Sequence, residues 1–293
     1  MLPSAPSFDL SFATAHNALV LAFLFVDGLG LSNDPRSPLQ RLDLPTLRVL
    51  SGGFSSHPFT RSRLAYRVLD ARLSVEGLPQ SGTGQTALLT GINAAQILGY
   101  HQGPHPLSKL QMLLRQDSLQ VWAVQRGLRV LHANGYRQDY LKRVTDSRRN
   151  LLSAFGFAAQ MAGLELLPLE HPHALLPAYW PEPEKAGQRF AQTAQQQDLT
   201  ILENWALDYT AHRLPEKLDE RFVELDRFLE GFLNASPQAT LILTSDHGNA
   251  EEPWHTQHTY NPVPLIIYGP QAHPVPDMQT LTDLLPWLME QLG

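Results

Sequence analysis

The chain contains no cysteine. That absence excludes disulfides and zinc-thiolate sites, and it fits a reducing cytoplasm. Basic residues are also scarce: 22 Lys and Arg stand against 28 Asp and Glu, for a formal charge of −6. No broad basic face is expected, which argues against nucleic acid or an anionic membrane as the main partner. Long apolar runs are missing too. The stretch Leu19 to Val26 resembles a signal-peptide core, but no Lys or Arg precedes it and no small-residue cleavage pattern follows it. It is too short to span a bilayer, and it ends directly in Asp27-Gly28-Leu29-Gly30. A buried strand entering a tight turn is the expectation. There is no internal repeat.

What is present is a hydrophobic fraction of 43% over 293 residues, enough for one large α/β domain. Asn17 to Val26 reads as a strand apolar on both faces, as in a sheet covered by helices. The region from Ser32 to Arg72, with Pro35, Pro38, Pro45 and Pro58, reads as loop-rich. A helix is expected to open near Gly82, with others over Leu107 to Arg115, Ser118 to Arg126, Asp219 to Leu233 and Leu281 to Leu292. Gly127 stands where a helix would stop. Strands are expected at Leu128 to His132, Leu199 to Leu207, Thr240 to Thr244 and Pro264 to Tyr268. The composition between about 136 and 196 turns charged, then rich in Pro, Leu and His, and reads as a cap inserted into a single domain spanning residues 1–293. Strands alternating with helices predict a doubly wound, mainly parallel α/β sheet with helices on both faces and that small cap. Such sheets bind ligands at the carboxyl ends of their strands.

The residues that carry chemistry fall near those ends. Asp27 follows Phe25-Val26, Asp208 follows the run Ile201 to Leu207, and Asp246-His247 follow Leu241-Ile242-Leu243. A buried Asp beside a His is costly without a partner, and a divalent cation accepts both kinds of donor. Asp208 and His212 are four apart, so one helical turn would bring them to one face. Either His255 or His258, in the loop before the strand Pro264 to Tyr268, could add an imidazole. The segment Ser81-Gly82-Thr83-Gly84-Gln85-Thr86 is a small-residue loop running into a helix, and a helix N-terminus suits phosphate. It offers Ser81, Thr83 and Thr86 as hydroxyl candidates. His101 and Arg137 are further candidates for contact with substrate.

Together these pieces resemble the metal core of the alkaline phosphatase superfamily, nearest to the branch of cofactor-independent phosphoglycerate mutase and phosphopentomutase. The resemblance rests on Val26-Asp27-Gly28, the loop from Ser81 to Gly91, Asp208-x-x-x-His212, Ser245-Asp246-His247-Gly248-Asn249 and His258-Thr259-x-Asn261-x-Val263-Pro264. It implies a hydroxyl nucleophile ten residues before the Gly of a Thr-Gly pair. Counting back from Gly91, this is Ser81. It also implies two metal sites, one on Asp208, His212 and His258, the other on Asp27, Asp246, His247 and the Ser81 oxygen. His258 is preferred to His255 because it directly precedes the Asn-Pro-Val-Pro stretch. This donor set suits Zn²⁺ or Mn²⁺. The implied activity is phosphoryl transfer on a small phosphate ester through a phosphoserine. Where mutases of this branch read Asn-Ser-Glu-Val-Gly-His, this chain reads Gln80-Ser81-Gly82-Thr83-Gly84-Gln85. Hydrolysis of a monoester or diester is therefore expected ahead of phosphomutase activity, with a non-catalytic metal-binding protein as a third reading. A sulfatase is disfavoured, since Ser81 is not followed by x-Pro-x-Arg.

Overall fold

Leu21–Val26, six apolar residues in a row, form strand β1, and all six are buried. A strand apolar on both faces needs a layer against each. Leu21, Phe23 and Phe25 enter one hydrophobic core, while Ala22, Leu24 and Val26 enter a second on the opposite face. The computed structural model describes residues 20–145, 150–235 and 238–293. The expected start of the first strand at 17–19, and 146–149 of the expected insert, lie outside the described residues. Six more strands follow: β2 (Phe59–Arg61), β3 (Leu64–Leu69), β4 (Val130–His132), β5 (Leu199–Asn204), β6 (Thr240–Thr244) and β7 (Val263–Tyr268). They form one sheet in the order β2-β3-β7-β6-β1-β5-β4.

The sheet is mixed, which corrects the expectation of a mainly parallel, doubly wound one. β1 pairs in parallel with β5 and β6, and β4 with β5. β7 runs antiparallel to both β6 and β3, and β2 antiparallel to β3. Half of the neighbouring pairings are therefore antiparallel. Two strands inside the region read as loop-rich, β2 and β3, account for part of the difference. β3 carries Arg67 in the middle of an apolar run, which breaks the sequence signal. In the fold that guanidinium is buried and satisfied by main-chain carbonyls: it donates to Val275, Pro276, Phe59 and Tyr66 at 2.6–3.0 Å.

The helices are α1 (Pro38–Arg41), α2 (Pro45–Leu50), α3 (Ser81–Thr90), α4 (Ala94–Leu98), α5 (Lys109–Asp117), α6 (Leu119–Gln125), α7 (Gln138–Thr145), α8 (Ala154–Met161), α9 (Pro183–Ala194), α10 (Ala206–Arg213), α11 (Leu218–Ala235) and α12 (Leu284–Leu292). α3, α5, α6, α8 and α12 cover the face of the sheet to which Phe23 and Phe25 point. α2, α9, α10 and α11 cover the other. Within residues 136–196, α8 stacks Phe155 on Phe25 with ring centroids 4.4 Å apart. In the same segment α9 sets Phe190 against Phe228 and Phe232 of α11, and Trp180 stacks on Phe228. This stretch thus contributes to both cores.

The reversal of β7 has a consequence for chemistry. In a parallel sheet, a residue that precedes a strand sits at the opposite rim from the strand ends. Because β7 is antiparallel, with Thr244 opposite Leu265, its beginning lies beside the end of β6. The loop that enters β7, carrying His258, therefore reaches the same rim as Asp27 and Asp246.

Candidate metal centre

Asp27 leaves the end of β1 through a turn in which Gly28 takes φ +76°, and a side chain there would come within 2.9 Å of the Asp208 Cβ. Only glycine suits that combination of left-handed backbone and close approach. Asp246 and His247 leave the end of β6 and are fully buried. Asp208 does not stand at a strand end, as the reading of Leu199 to Leu207 as one strand implied. β5 stops at Asn204, and Asp208 lies in the first turn of α10, where a carboxylate complements the helix dipole. His212 follows one turn later on the same helix, with its Nε2 3.3 Å from Asp208 Oδ1.

Two groups of donors meet here. In the first, His258 Nε2 lies 3.1 Å from His212 Nε2 and 3.5 Å from Asp208 Oδ1. In the second, His247 Nε2 lies 3.0 Å from Ser81 Oγ, 3.3 Å from Asp27 Oδ1 and 3.6 Å from Asp246 Oδ2. The groups adjoin through the rings of His247 and His258, stacked with centroids 3.8 Å apart. Donor atoms of Asp208, His247 and His258, and those of Asp27, Asp246 and His247, lie close enough together to share an ion. The Nδ1 of His258 donates to the Pro79 carbonyl at 2.7 Å, which turns its Nε2 toward the cluster.

The fit to a divalent cation is visible in the electrostatics. Asp27 Oδ1 is buried, points into the cluster and has no hydrogen-bond partner among the described residues. Burial pushes the Asp27 carboxyl well above the usual carboxylate range, and the neighbouring charges of Asp246 and Asp208 push it further. Burial raises Asp246 as well, reinforced by Asp208. Burial drives the His247 imidazole down to about 3, so it is a neutral donor. Burial also acts to raise Asp208, but hydrogen bonds from His212 and His258 outweigh it and hold its carboxyl below the usual range. Buried carboxylates of this kind can ionise together only with positive charge among them, and carboxylate oxygens with imidazole nitrogens suit a divalent ion.

Of the three hydroxyl candidates, only one turns toward the cluster. Thr86 Oγ1 donates to the Gly82 carbonyl at 2.6 Å and Thr83 Oγ1 to the Gln80 carbonyl at 3.1 Å, so both are bonded to main chain at the start of α3. Ser81, the first residue of α3, lies beside His247. Gly84 lets this turn approach: a Cβ there would lie 2.8 Å from the Asp246 carbonyl oxygen.

His255 is placed elsewhere, with its Nε2 3.2 Å from Glu252 Oε2. His258→Ala is therefore expected to lose about one equivalent of bound metal, and His255→Ala to keep both, as measured by elemental analysis after metal loading. Retention by the first and loss by the second would reverse the register. The other two candidates are not at the site. Arg137 is an exposed residue paired with Asp139 at 2.9 Å. His101 is tied through Nε2 to the Val75 carbonyl at 3.3 Å. Neither lines the cavity of about 800 Å³ in front of the donors, whose walls include Gln80, His105, Trp205, Tyr209 and Arg213.

Several residues at the centre were not singled out from sequence. Gln85 Nε2 donates to Asp27 Oδ2 at 3.2 Å and to Asp246 Oδ2 at 3.1 Å, while its Oε1 accepts from the Ala154 N–H at 3.3 Å. One amide thus orients two carboxylates and anchors them to α8. Asn249 Nδ2 donates to Asp208 Oδ1 at 2.8 Å. Glu251 is fully buried and accepts from the N–H groups of Gly30 and Asn249 and from the side chains of Thr259 and Asn261. It ties together the turn after β1, the turn after β6 and the loop before β7. The available signal for Gln85 was its position one turn after Ser81 on the expected helix. Glu203, buried within β5, accepts from Ser153 Oγ at 2.7 Å.

Burial pushes Glu203 up to about 7 from 4.5, with Ser153 opposing and the Asp246 charge adding to the rise. A raised folded-state value means that its contribution to stability is complete below pH 4.5 and is lost as pH rises through about 7. The metal-free protein should lose on the order of 3 kcal/mol from this group over that window. Glu203→Gln should flatten the fall in Tm of metal-free protein between those limits. An unchanged slope would contradict the assignment.

Among the described residues, no helix is long and apolar enough to cross a membrane. A family model described as the metalloenzyme superfamily matches residues 184–293. The chain is similar to 2,3-bisphosphoglycerate-independent phosphoglycerate mutase of Cereibacter sphaeroides, 42% identical over 79 residues, which cover 24% of this chain and 16% of that protein. It is similar to the same enzyme of Gloeobacter violaceus, 29% identical over 164 residues, covering 47% and 30%. The matches thus span less than a third of these relatives' length. Among solved structures, a Pyrococcus horikoshii protein superposes with a TM-score of 0.59 at 13% identity, covering 94% of this chain and 97% of that one. A cold-active alkaline phosphatase from Shewanella superposes with a TM-score of 0.54 at 12% identity, covering 93% and 100%. The chain therefore shares its fold with these two structures, and its residues 184–293 match the metalloenzyme superfamily.

Proposed function

We propose that the chain is a two-metal phosphoryl-transfer enzyme acting through a phosphoserine at Ser81. The observation that carries this reading is the convergence of one hydroxyl with three carboxylates and three imidazoles, Ser81 Oγ lying 3.0 Å from His247 Nε2. Asp208, His212 and His258 would hold one cation, and Asp27, Asp246, His247 and Ser81 Oγ the other, with zinc or manganese suited to these donors. When bound, the pair supplies positive charge for the phosphate oxygens, acidifies the serine hydroxyl and steadies the departing oxygen.

The chain's own residues do the rest. Gln85 and Asn249 keep the carboxylates in register. Ser81, at the start of α3, brings its oxygen to the phosphorus with the helix dipole behind it. The bond from phosphorus to the organic oxygen breaks as the bond to Ser81 Oγ forms. The phosphoryl group then leaves the serine for an organic hydroxyl, as in a mutase, or for water, as in a hydrolase. The mutase names of the curated relatives favour the first outcome. The second is supported by the cavity in front of Ser81, which the exposed Tyr209 and Arg213 help line and which admits water. A cytoplasmic setting is part of this reading, and the absence of cysteine fits it.

Metal-loaded protein incubated with a panel of phosphate mono- and diesters in heavy-oxygen water separates the outcomes. Isomerised ester without heavy oxygen supports transfer to an organic hydroxyl. Labelled inorganic phosphate supports hydrolysis. No turnover and no phosphorylated Ser81 with any substrate overturns the reading.

A further inference from the structure

One wall of the cavity belongs to the same helix as two of the donors. Trp205 caps α10, Tyr209 lies one turn on and Arg213 one turn further, while Asp208 and His212 each precede one of the latter two. With 3.6 residues per turn, the row 205–209–213 runs beside the row 208–212. Trp205, Tyr209 and Arg213 therefore flank a group held at Asp208 and His212. All three side chains line the cavity. The rings of Trp205 and Tyr209 meet edge to face, 5.6 Å apart at 70°, and Tyr209 is 50% exposed. An aromatic pair open to a cavity offers a surface on which a flat group can stack.

Charge in the cavity is sparse. Arg213 is exposed and has no carboxylate partner among the described residues, unlike Arg36, Arg41, Arg72, Arg129 and Arg137. It is the only arginine or lysine on the described lining. His105, also on the lining, is held below the usual imidazole range by burial. Arg213 can pair with one further anionic group, while an open-chain ester would leave the two aromatic rings uncovered.

We propose that the substrate is a ring-bearing phosphate monoester. Its ring stacks on the exposed face of Tyr209 and meets Trp205 at an angle, and an anionic substituent reaches Arg213. This rests on the phosphoryl-transfer reading above.

Titration calorimetry of the metal-loaded wild-type protein with benzylphosphonate and propylphosphonate tests it, since the two share a headgroup and differ in the ring. The ring compound should bind about tenfold tighter, the scale expected for burying one aromatic face. Tyr209→Ala should bring the two Kd values together, and Tyr209→Phe should keep them apart. Carboxybenzylphosphonate should lose affinity in Arg213→Ala while benzylphosphonate does not. Equal affinity of the two phosphonates in the wild type, or a ratio unchanged in Tyr209→Ala, overturns the ring specificity and leaves phosphoryl transfer standing. Binding of neither phosphonate, nor of inorganic phosphate, overturns both.

Discussion

Ser81→Ala should lower turnover of the metal-loaded protein by about three orders of magnitude or more, the usual consequence of removing a nucleophile from a set of groups that act together. Stability should change little. Ser81 opens α3 without acting as its cap, and its hydroxyl makes its contact with His247. Thermal unfolding of the variant should therefore overlay the wild type to within about 1 kcal/mol. The controls are Thr83→Ala and Thr86→Ala. Their hydroxyls bond back into α3, so their loss should cost some stability and far less activity. Acid quenching during turnover, followed by peptide mass spectrometry, should place phosphate on Ser81. Phosphate on Thr83 or Thr86, or full activity in Ser81→Ala, would sink the assignment.

The second large effect concerns metal. Protein saturated with Mn²⁺ or Zn²⁺ should retain close to two equivalents per chain and unfold at a higher temperature than the chelated form. Each site filled at a hundredfold excess over its Kd adds about 2.7 kcal/mol. The gain arises because Asp27, Asp246 and Asp208 are crowded into a buried space where Asp27 Oδ1 has no hydrogen-bond partner among the described residues. Asp208→Ala should remove one equivalent and Asp246→Ala the other. The variants should differ in what remains: Asp208→Ala leaves the donors around Ser81, whereas Asp246→Ala leaves His212 and His258 paired with Asp208. A wild type that saturates at one equivalent would contradict the two-group arrangement.

Much of this centre was legible because its chemistry is local in sequence. The pair Asp246-His247 follows an apolar strand, and Asp208 and His212 have helical spacing, so identity and approximate placement could be read together. The structure brings these residues, Asp27, Ser81 and His258 to one rim. His101 and Arg137 could not be excluded in the same way. A loop histidine and an arginine after a strand look alike whether they face a ligand or solvent, and only their partners, the Val75 carbonyl and Asp139, distinguish the cases. Gln85 was missed for the opposite reason. A glutamine on a helix carries no signal of its own until Asp27 and Asp246, 58 positions before and 161 after it, are folded around its amide.

Strand direction divides what the sequence determined by itself from what tertiary structure decided. The apolar run of β1, the glycine turns after it and the donor types were set by local physics: burial, backbone sterics and ligand chemistry act over a few residues. Nothing local states which way a strand runs in its sheet. The sequence reading made the sheet mainly parallel, yet β7 pairs antiparallel with both β6 and β3. β3 itself was hidden by Arg67, whose buried charge is satisfied by carbonyls from distant segments. That reversal lets His258, which precedes its strand, meet Asp208 and His212, and it is held by long-range pairing and by the Glu251 hydrogen bonds to Gly30, Asn249, Thr259 and Asn261. Side-chain identity is encoded residue by residue, whereas pairing direction is settled by which edges of the sheet bury their backbone groups together.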